Sequence, residues 1–174
     1  IIGMGESSVA EEIEDMFNAK NPTVAPYAKS GEVRLRITAK AETADEADKM
    51  CAPVVDEICS RLGDVVYGTD MNSIEERVVT LLKEKGKKIA TAESCTAGYI
   101  PKRLTDIPGA SEVFECGIVS YSNDIKTKLL GVSPKTLETY GAVSEQTARE
   151  MALGAKHVSG ADIAISTTGL AGPG

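Results

Sequence analysis

Residues 88–98 read KIATAESCTAG, an apolar run that ends in two possible nucleophiles, Ser94 and Cys95. The run 88–92 has the pattern of a buried strand, and the polar residues after it predict a turn into a helix. A helix beginning there directs unpaired N–H groups and the positive end of its dipole at the space beside the nucleophile, which suits an oxyanion or a phosphate. The alternative is an ordinary helix cap, because small polar residues also occupy such positions.

Outward from this run, strands and helices alternate. The order predicts an α/β domain over 71–174, with three α/β/α layers and a mostly parallel sheet. Such sheets bind ligands at the carboxyl ends of their strands. The segment 88–98 and two further motifs, 119–126 and 166–174, all fall at such ends. The predicted strands are 88–92, 113–121 and 162–168, and the predicted helices are 95–104, 124–130, 134–140 and 144–158, preceded by a helix capped by Ser73.

The first part of the chain, 1–70, predicts a separate small α+β unit. Apolar residues recur at helical spacing over 8–19, which predicts a first helix. They recur again in a second predicted helix, which begins at a capping box formed by Thr43 and Glu46 and ends near residue 62. Residues 32–39 alternate between apolar and charged side chains, which indicates a half-buried strand. With a short strand at 65–67, the predicted order is α-β-β-α-β, and the domain boundary falls near 68–72.

Composition narrows the class of protein. The 174 residues are 42% hydrophobic and contain no apolar run long enough to span a membrane and no secretion-signal pattern. The four cysteines lack Cys-x-x-Cys spacing, so we expect free thiols, a cytoplasmic location and no metal site. The single histidine, His157, stands far from any other candidate ligand.

Charge is distributed unevenly. Residues 1–70 hold 14 acidic and 7 basic side chains, whereas 71–174 hold 12 of each. An acidic unit repels phosphates, and 1–70 contain no Gly-x-x-Gly loop of the kind that clamps a nucleic-acid backbone. We therefore expect no nucleic-acid partner.

Two further motifs accompany Ser94. Tyr121 ends a predicted strand and Lys126 lies one turn into the next helix, so a Ser–Lys–Tyr site is geometrically possible if burial lowers the pKa of the lysine. The alternative is a packed tyrosine and a solvated lysine. Residues 166–174, STTGLAGPG, end a strand with hydroxyls and a Gly-rich loop, which suits either a phosphate or simply a tight turn.

Together these motifs resemble, in order and spacing, the C-terminal domain of the CinA family of competence/damage-inducible proteins. The segments that carry the resemblance are 91–98, 117–123 with Lys126, 141–144 and 167–174. Residues 1–70 resemble the KH-type domain that precedes it in that family, including the Gly5-Glu-Ser opening and the segment 22–26.

The resemblance implies a nicotinamide-nucleotide amidase, which hydrolyses nicotinamide mononucleotide to nicotinate mononucleotide and ammonia without a cofactor. It makes Ser94 the nucleophile, Lys126 the base and Tyr121 a partner in proton transfer, and it suggests a homodimer. Backbone N–H groups near Cys95 and Thr96 would hold the oxyanion, and the turn Gly169 to Gly174 would contact substrate. The implied substrate-binding set is Glu93, Cys95, Thr96, Asn123, Thr168, Gly169 and Gly172.

Two departures from the family pattern bear on these expectations. The family usually has Gly-Gly where this chain has Ala97-Gly98, and its domain continues beyond the position of Gly174, so the chain is expected to be a fragment of the domain. Two other hypotheses also fit the sequence. The chain could be a non-catalytic binding or dimerisation module, or Cys95 could be the nucleophile instead of Ser94.

Overall fold

The computed structural model describes residues 1–29, 31–170 and 172. The chain divides into two compact units, Ile1–Met71 and Asn72–Gly174, and each is considered by itself. Within the described part of the chain, every helix is too short or too polar to cross a membrane.

Unit 1 is a two-stranded antiparallel sheet with helices. Strands β1 and β2 pair from Thr23↔Thr38 to Lys29↔Glu32, and apolar side chains of β2 such as Val33 are buried while Arg34 and Arg36 are exposed. Helix α2 begins with the predicted capping box, since Thr43 Oγ1 accepts from the Glu46 N–H and Glu46 accepts from the Thr43 N–H. The elements are α1 Glu6–Glu12, a 3-10 helix Glu14–Asn18, β1 Thr23–Lys29, β2 Glu32–Thr38 and α2 Ala44–Leu62.

The predicted third strand at 65–67 is wrong. Helix α2 instead ends at Gly63, whose positive φ of 58° turns the chain into a short 3-10 helix, Gly63–Val65. The start of the chain takes the neighbouring position at the sheet, because the Val33 N–H donates to the Ile1 carbonyl and Ile2 bridges to Glu32. Val65 contributes only its carbonyl, which accepts from the Ile2 N–H.

The second unit confirms the predicted α/β fold with a parallel sheet. Its three strands lie in the order β4-β3-β5, and both outer strands run parallel to β3. The single helix predicted over 95–104 begins only at Tyr99, because residues 94–98 form a turn. The elements are α3 Ile74–Glu84, β3 Ile89–Glu93, α4 Tyr99–Thr105, β4 Phe114–Val119, α5 Asn123–Leu130, α6 Pro134–Tyr140, α7 Glu145–Ser159 and β5 Ile163–Thr167.

Helices cover both faces of the central strand β3, whose five residues are all buried. On one face Ala90 and Ala92 pack with side chains of α5 and α7, such as Leu130 and Met151. On the other face Ile89 packs with side chains of α3 and α4. The short alanine side chains let α7 approach the sheet closely, and β3 carries Ser94 from this buried centre to the edge where the strands end.

The turn that follows β3 has an unusual backbone. Ala97 and Gly98 both have positive φ angles, 49° and 95°. This left-handed conformation suits glycine, whereas an alanine adopts it at a cost of about 1–2 kcal/mol. The turn brings the chain back sharply, so that α4 starts beside the end of β3.

Candidate active site

Ser94 lies where the carboxyl ends of all three parallel strands meet. Its own N–H donates to the carbonyl of Thr167 at the end of β5, at 3.0 Å. On the other side the Ser120 N–H, just after β4, donates to the carbonyl of Glu93 at 2.7 Å. The nucleophile candidate is therefore fixed by backbone hydrogen bonds to both neighbouring strands, and it is only 7% exposed.

Lys126 reaches the same point from helix α5. The helix starts after Ser122, whose Oγ accepts from the Ile125 N–H at 3.3 Å. One turn later the side chain of Lys126 extends inward and is only 1% exposed. Its Nζ lies 3.0 Å from Ser94 Oγ, 2.9 Å from the Ser120 carbonyl and 3.1 Å from the Tyr121 carbonyl.

Burial lowers the pKa of Lys126 below its ordinary value, and the nearby Cys95 thiol opposes this shift. Lys126 has no carboxylate among the partners that contact its Nζ. A neutral amine has two N–H groups and one lone pair, whereas an ammonium has three N–H groups and no lone pair. Since the carbonyls of Ser120 and Tyr121 can accept two hydrogens, the lone pair of a neutral Lys126 is left to accept the proton of Ser94.

Donors for an oxyanion are present in the turn 94–98. The Ala97 N–H donates to the Ser94 carbonyl and the Tyr99 N–H to the Thr96 carbonyl. Among the described residues, the N–H groups of Cys95, Thr96 and Gly98 have no hydrogen-bond acceptor. Free N–H groups next to a nucleophile are what an oxyanion hole requires.

Glu93 does not lie on an open surface, although it belongs to the predicted substrate-binding set. Its side chain is fully buried, and Oε2 accepts from the Ile100 N–H of α4 at 3.2 Å. Its other oxygen, Oε1, has no hydrogen-bond partner among the described residues. The carboxylate therefore faces the first turn of α4.

Four other predicted residues lie at the turn after β3 and at the end of β5. The hydroxyls of Thr96 and Thr167 lie 2.6 Å apart, and Thr168 Oγ1 donates to the Ala142 carbonyl at 2.7 Å. The Cys95 sulfur packs closely on Gly169, since a Cβ added at Gly169 would lie 3.2 Å from it. Cys95, Thr96, Thr168 and Gly169 are thus gathered beside Ser94.

The remaining predicted binding residues are less closely placed. Asn123 is exposed at the first residue of α5 and lines a cleft of about 320 Å³ with side chains of α5 and α6, including Thr127 and Leu137. Gly172 is exposed. Ala171, Pro173 and Gly174, which also belong to the predicted substrate-contacting turn, lie outside the described residues.

Tyr121 contributes to the site through its backbone. Its carbonyl accepts from Lys126, whereas its side chain is 70% exposed and its hydroxyl makes no hydrogen bond to another described residue. Sequence reasoning missed Ser120 and Thr167, whose backbone groups hold Lys126 and Ser94. Both lie inside the quoted motifs, but a backbone contact leaves no requirement on the side chain that a sequence could display.

No three His, Cys, Asp or Glu side chains within 1–29, 31–170 and 172 come together as metal ligands. Around the contact between the Ser94 hydroxyl and the Lys126 amine, the described hydrogen-bond partners are backbone groups.

Family models match both parts of this chain. A family model described as the CinA C-terminal domain matches residues 71–174, and one described as the damage-inducible protein CinA KH domain matches residues 1–68. A protein of Clostridium beijerinckii named for competence-damage induction is 57% identical over 174 residues, which cover 99% of this chain and 42% of that protein. A CinA-like protein from Desulfovibrio desulfuricans is 51% identical and is covered over 40% of its length. The chain thus spans less than half the length of these relatives.

Solved structures of competence/damage-inducible proteins match part of this chain. The crystal structure of the competence/damage inducible protein CihA from Agrobacterium tumefaciens matches with a TM-score of 0.57 and 45% identity, over 62% of this chain and 67% of that one. A competence or damage-inducible protein from Enterobacter asburiae matches with a TM-score of 0.56 and 37% identity, over 59% of this chain and 67% of that one.

Proposed function

This chain belongs to the CinA family, and we propose that its second unit is an amidase that hydrolyses the carboxamide of nicotinamide mononucleotide. The proposal rests on the contact of 3.0 Å between Lys126 Nζ and Ser94 Oγ, in a site where burial favours the neutral amine. The substrate comes from the resemblance of the motifs, and the geometry supports the reaction type, acyl transfer through a serine.

In the first half of the reaction, Ser94 Oγ attacks the amide carbon and its proton passes to Lys126. The negative charge that develops on the carbonyl oxygen is stabilised by N–H groups of the turn, those of Cys95 and Thr96. The tetrahedral intermediate collapses when the C–N bond breaks, and the protonated Lys126 gives its proton to the departing ammonia. Ser94 then carries the nicotinoyl group as an ester.

In the second half, water replaces ammonia. Lys126, neutral again, accepts a proton from the water as it attacks the ester carbon, and the same N–H groups stabilise the second oxyanion. Lys126 then returns the proton to Ser94 Oγ as the ester bond breaks. The products are nicotinate mononucleotide and ammonia, and one water is consumed in each cycle.

We assign the other residues supporting roles. The carbonyls of Ser120 and Tyr121 hold the lysine amine in place, and the exposed Tyr121 side chain is available to contact a bound substrate. Thr168 and Gly169 stand at the end of β5 beside Cys95, where the reacting amide would be bound.

The direct test is ammonia release from nicotinamide mononucleotide, measured for this chain, for Ser94→Ala and for Cys95→Ala. We expect Ser94→Ala to lose all turnover and Cys95→Ala to retain it, because the amine contacts the serine hydroxyl. The full-length relative from Clostridium beijerinckii serves as a comparison that contains the rest of the polypeptide. Turnover that survives in Ser94→Ala would contradict the proposal. Absence of turnover from both this chain and the full-length relative would also contradict it.

A further inference from the structure

The buried carboxylate of Glu93 is not used by the reaction described above. It immediately precedes the nucleophile, is fully buried, and has one oxygen with a partner and one without. A buried charged group that lacks hydrogen bonds is expensive to maintain, so its presence calls for a physical account.

A second orphaned atom lies on the same face of β3. Thr91 Oγ1 is also buried and has no hydrogen-bond partner among the described residues. Side chains at positions 91 and 93 point to the same side of the strand because successive side chains alternate. These are the two buried side-chain polar atoms without a partner in the described part of the chain.

Both side chains lie near the first turn of α4. Glu93 Oε2 accepts from Ile100, the second residue of that helix. Thr91 lies close to Pro101, the third residue of that helix, since a Cβ added at Gly117 would be 3.0 Å from both Thr91 Oγ1 and Pro101 Cγ. Both orphaned atoms therefore belong to side chains on the face of β3 that packs against the start of α4.

We propose that Glu93 is a positioning residue that, together with Thr91, holds one internal water molecule and anchors the turn 94–98 to α4. Buried waters bind at such places, where two or more polar atoms would otherwise be unsatisfied. The water donates to Glu93 Oε1 and bonds to the Thr91 hydroxyl, while Oε2 fixes the Ile100 N–H. The turn is thereby held at one end by β3 and at the other by α4, with the N–H groups of Cys95 and Thr96 aimed beside Ser94.

The catalytic consequence of this anchor rests on the proposed function, but the anchor itself can be tested without it. Amide hydrogen exchange of Ile100 reports the contact to Oε2 directly. We expect Glu93→Leu to speed exchange at Ile100 about 10- to 100-fold, in line with the loss of a hydrogen bond to a charged group. Glu93→Gln retains an oxygen acceptor and should preserve most of the protection. Glu138→Leu, at an exposed position of α6, is the matched control and should leave Ile100 unchanged.

The water is tested by a crystal structure of the wild-type chain at a resolution that shows ordered solvent. We expect one water within hydrogen-bond distance of both Glu93 Oε1 and Thr91 Oγ1, and we expect Thr91→Val, which removes only the hydroxyl, to lose it. Empty density there, or a direct contact between the two side chains, would overturn the water site.

Activity provides the remaining readout. For an active wild type, Glu93→Leu should lower kcat about 10- to 100-fold with a smaller effect on KM, and Glu93→Gln should recover most of the loss, because the anchor aligns oxyanion donors rather than binding substrate. Unchanged Ile100 exchange in Glu93→Leu would overturn the anchor. Altered exchange, together with no ammonia release by this chain or by the full-length relative, would uphold the anchor and reject the amidase instead. If Glu93→Leu fails to fold, Ile100 exchange in Glu93→Met, which also lacks an oxygen acceptor, decides the question.

Discussion

Lys126 Nζ and Ser94 Oγ lie 3.0 Å apart although 32 positions separate the two residues in the chain. The parallel pairing of β3 with β4 brings them together, because the turn after β3 presents the serine and the helix after β4 presents the lysine. The contact is shielded from solvent on both sides, since both residues are buried.

The first prediction concerns pH. Burial lowers the pKa of Lys126, and the neutral form is the one that accepts the serine proton. The kcat/KM for ammonia release should therefore rise with pH through this lowered pKa and level off before the ordinary value of 10.5 for lysine. A profile that falls over this range would show that Lys126 acts in its charged form. Lys128→Met, an exposed position on the same helix, should not alter the profile.

The second prediction separates the roles of Lys126 and Tyr121. Tyr121→Phe removes a hydroxyl with no described partner but keeps the carbonyl that accepts from Lys126. Lys126→Met removes the base itself, a change that lowers rates by about 10²- to 10⁴-fold in general acid–base catalysis. We expect the Tyr121→Phe loss in kcat to be at least about tenfold smaller than the Lys126→Met loss. Equal losses would instead place the phenol in the proton path.

The third prediction concerns the packing of Cys95 on Gly169. A methyl group at Gly169 would lie 3.2 Å from the sulfur, so Gly169→Ala requires the Cys95 side chain, next to Ser94, to give way by a few tenths of an ångström. We expect a drop in kcat/KM, and we expect Cys95→Ala to restore part of it by making room. A double-mutant cycle measures this coupling. Additive effects would mean that the two residues act separately; Gly5→Ala, with open space around it, serves as the control.

The fourth prediction concerns the backbone at Ala97. Its φ of 49° is left-handed, so glycine relieves strain there, although glycine also gains more freedom in the unfolded chain. We expect Ala97→Gly to raise the free energy of unfolding by up to about 1 kcal/mol, whereas Ala152→Gly within α7 should lower it by about 1 kcal/mol. Thermal and urea unfolding measure both. A destabilised Ala97→Gly would contradict the left-handed conformation.

The fifth prediction concerns the contact between α7 and α5. A Cβ added at Gly154 would lie 1.9 Å from the backbone oxygen of Leu130, so no side chain can move aside to admit it. We expect Gly154→Ala to destabilise the second unit by about 3 kcal/mol or more, as overpacking does when backbone must shift. Leu153→Ala, one position away and exposed, should have little effect on unfolding by urea. A stable Gly154→Ala variant would show that the two helices lie further apart.

Much of the second unit could be predicted because its local patterns agree with its tertiary structure. The capped start of α3 at Ser73 and the alternation of strands and helices required no information about distant contacts. The start of α4 could not be placed, since the turn 94–98 depends on two left-handed residues, and alanine at 97 does not advertise that conformation. The missing strand at 65–67 has a similar cause, because the edge of the sheet was taken by Ile1 and Ile2.

The contact between Ser94 and Lys126 was foreseeable as a geometric possibility, and the family resemblance suggested their roles. The carbonyls of Ser120 and Thr167 could not be foreseen from the sequence. Composition also did not predict where the charges of unit 1 lie on its surface. Unit 1 is acidic overall, yet Lys29, Arg34 and Arg36 share the outer face of its hairpin because the register places them on one side.

The carbonyl of Ser120 links the lysine to the pairing of the strands. The N–H of Ser120 donates to the backbone carbonyl of Glu93. If β4 shifted along β3 by one position, the Ser120 carbonyl that accepts from Lys126 would therefore move as well. If the proposed mechanism holds, activity depends on the alignment of the sheet. A brief local separation of β4 would then abolish activity while most of the unit stayed folded, so on warming, inactivation should begin below the melting temperature and reverse on cooling.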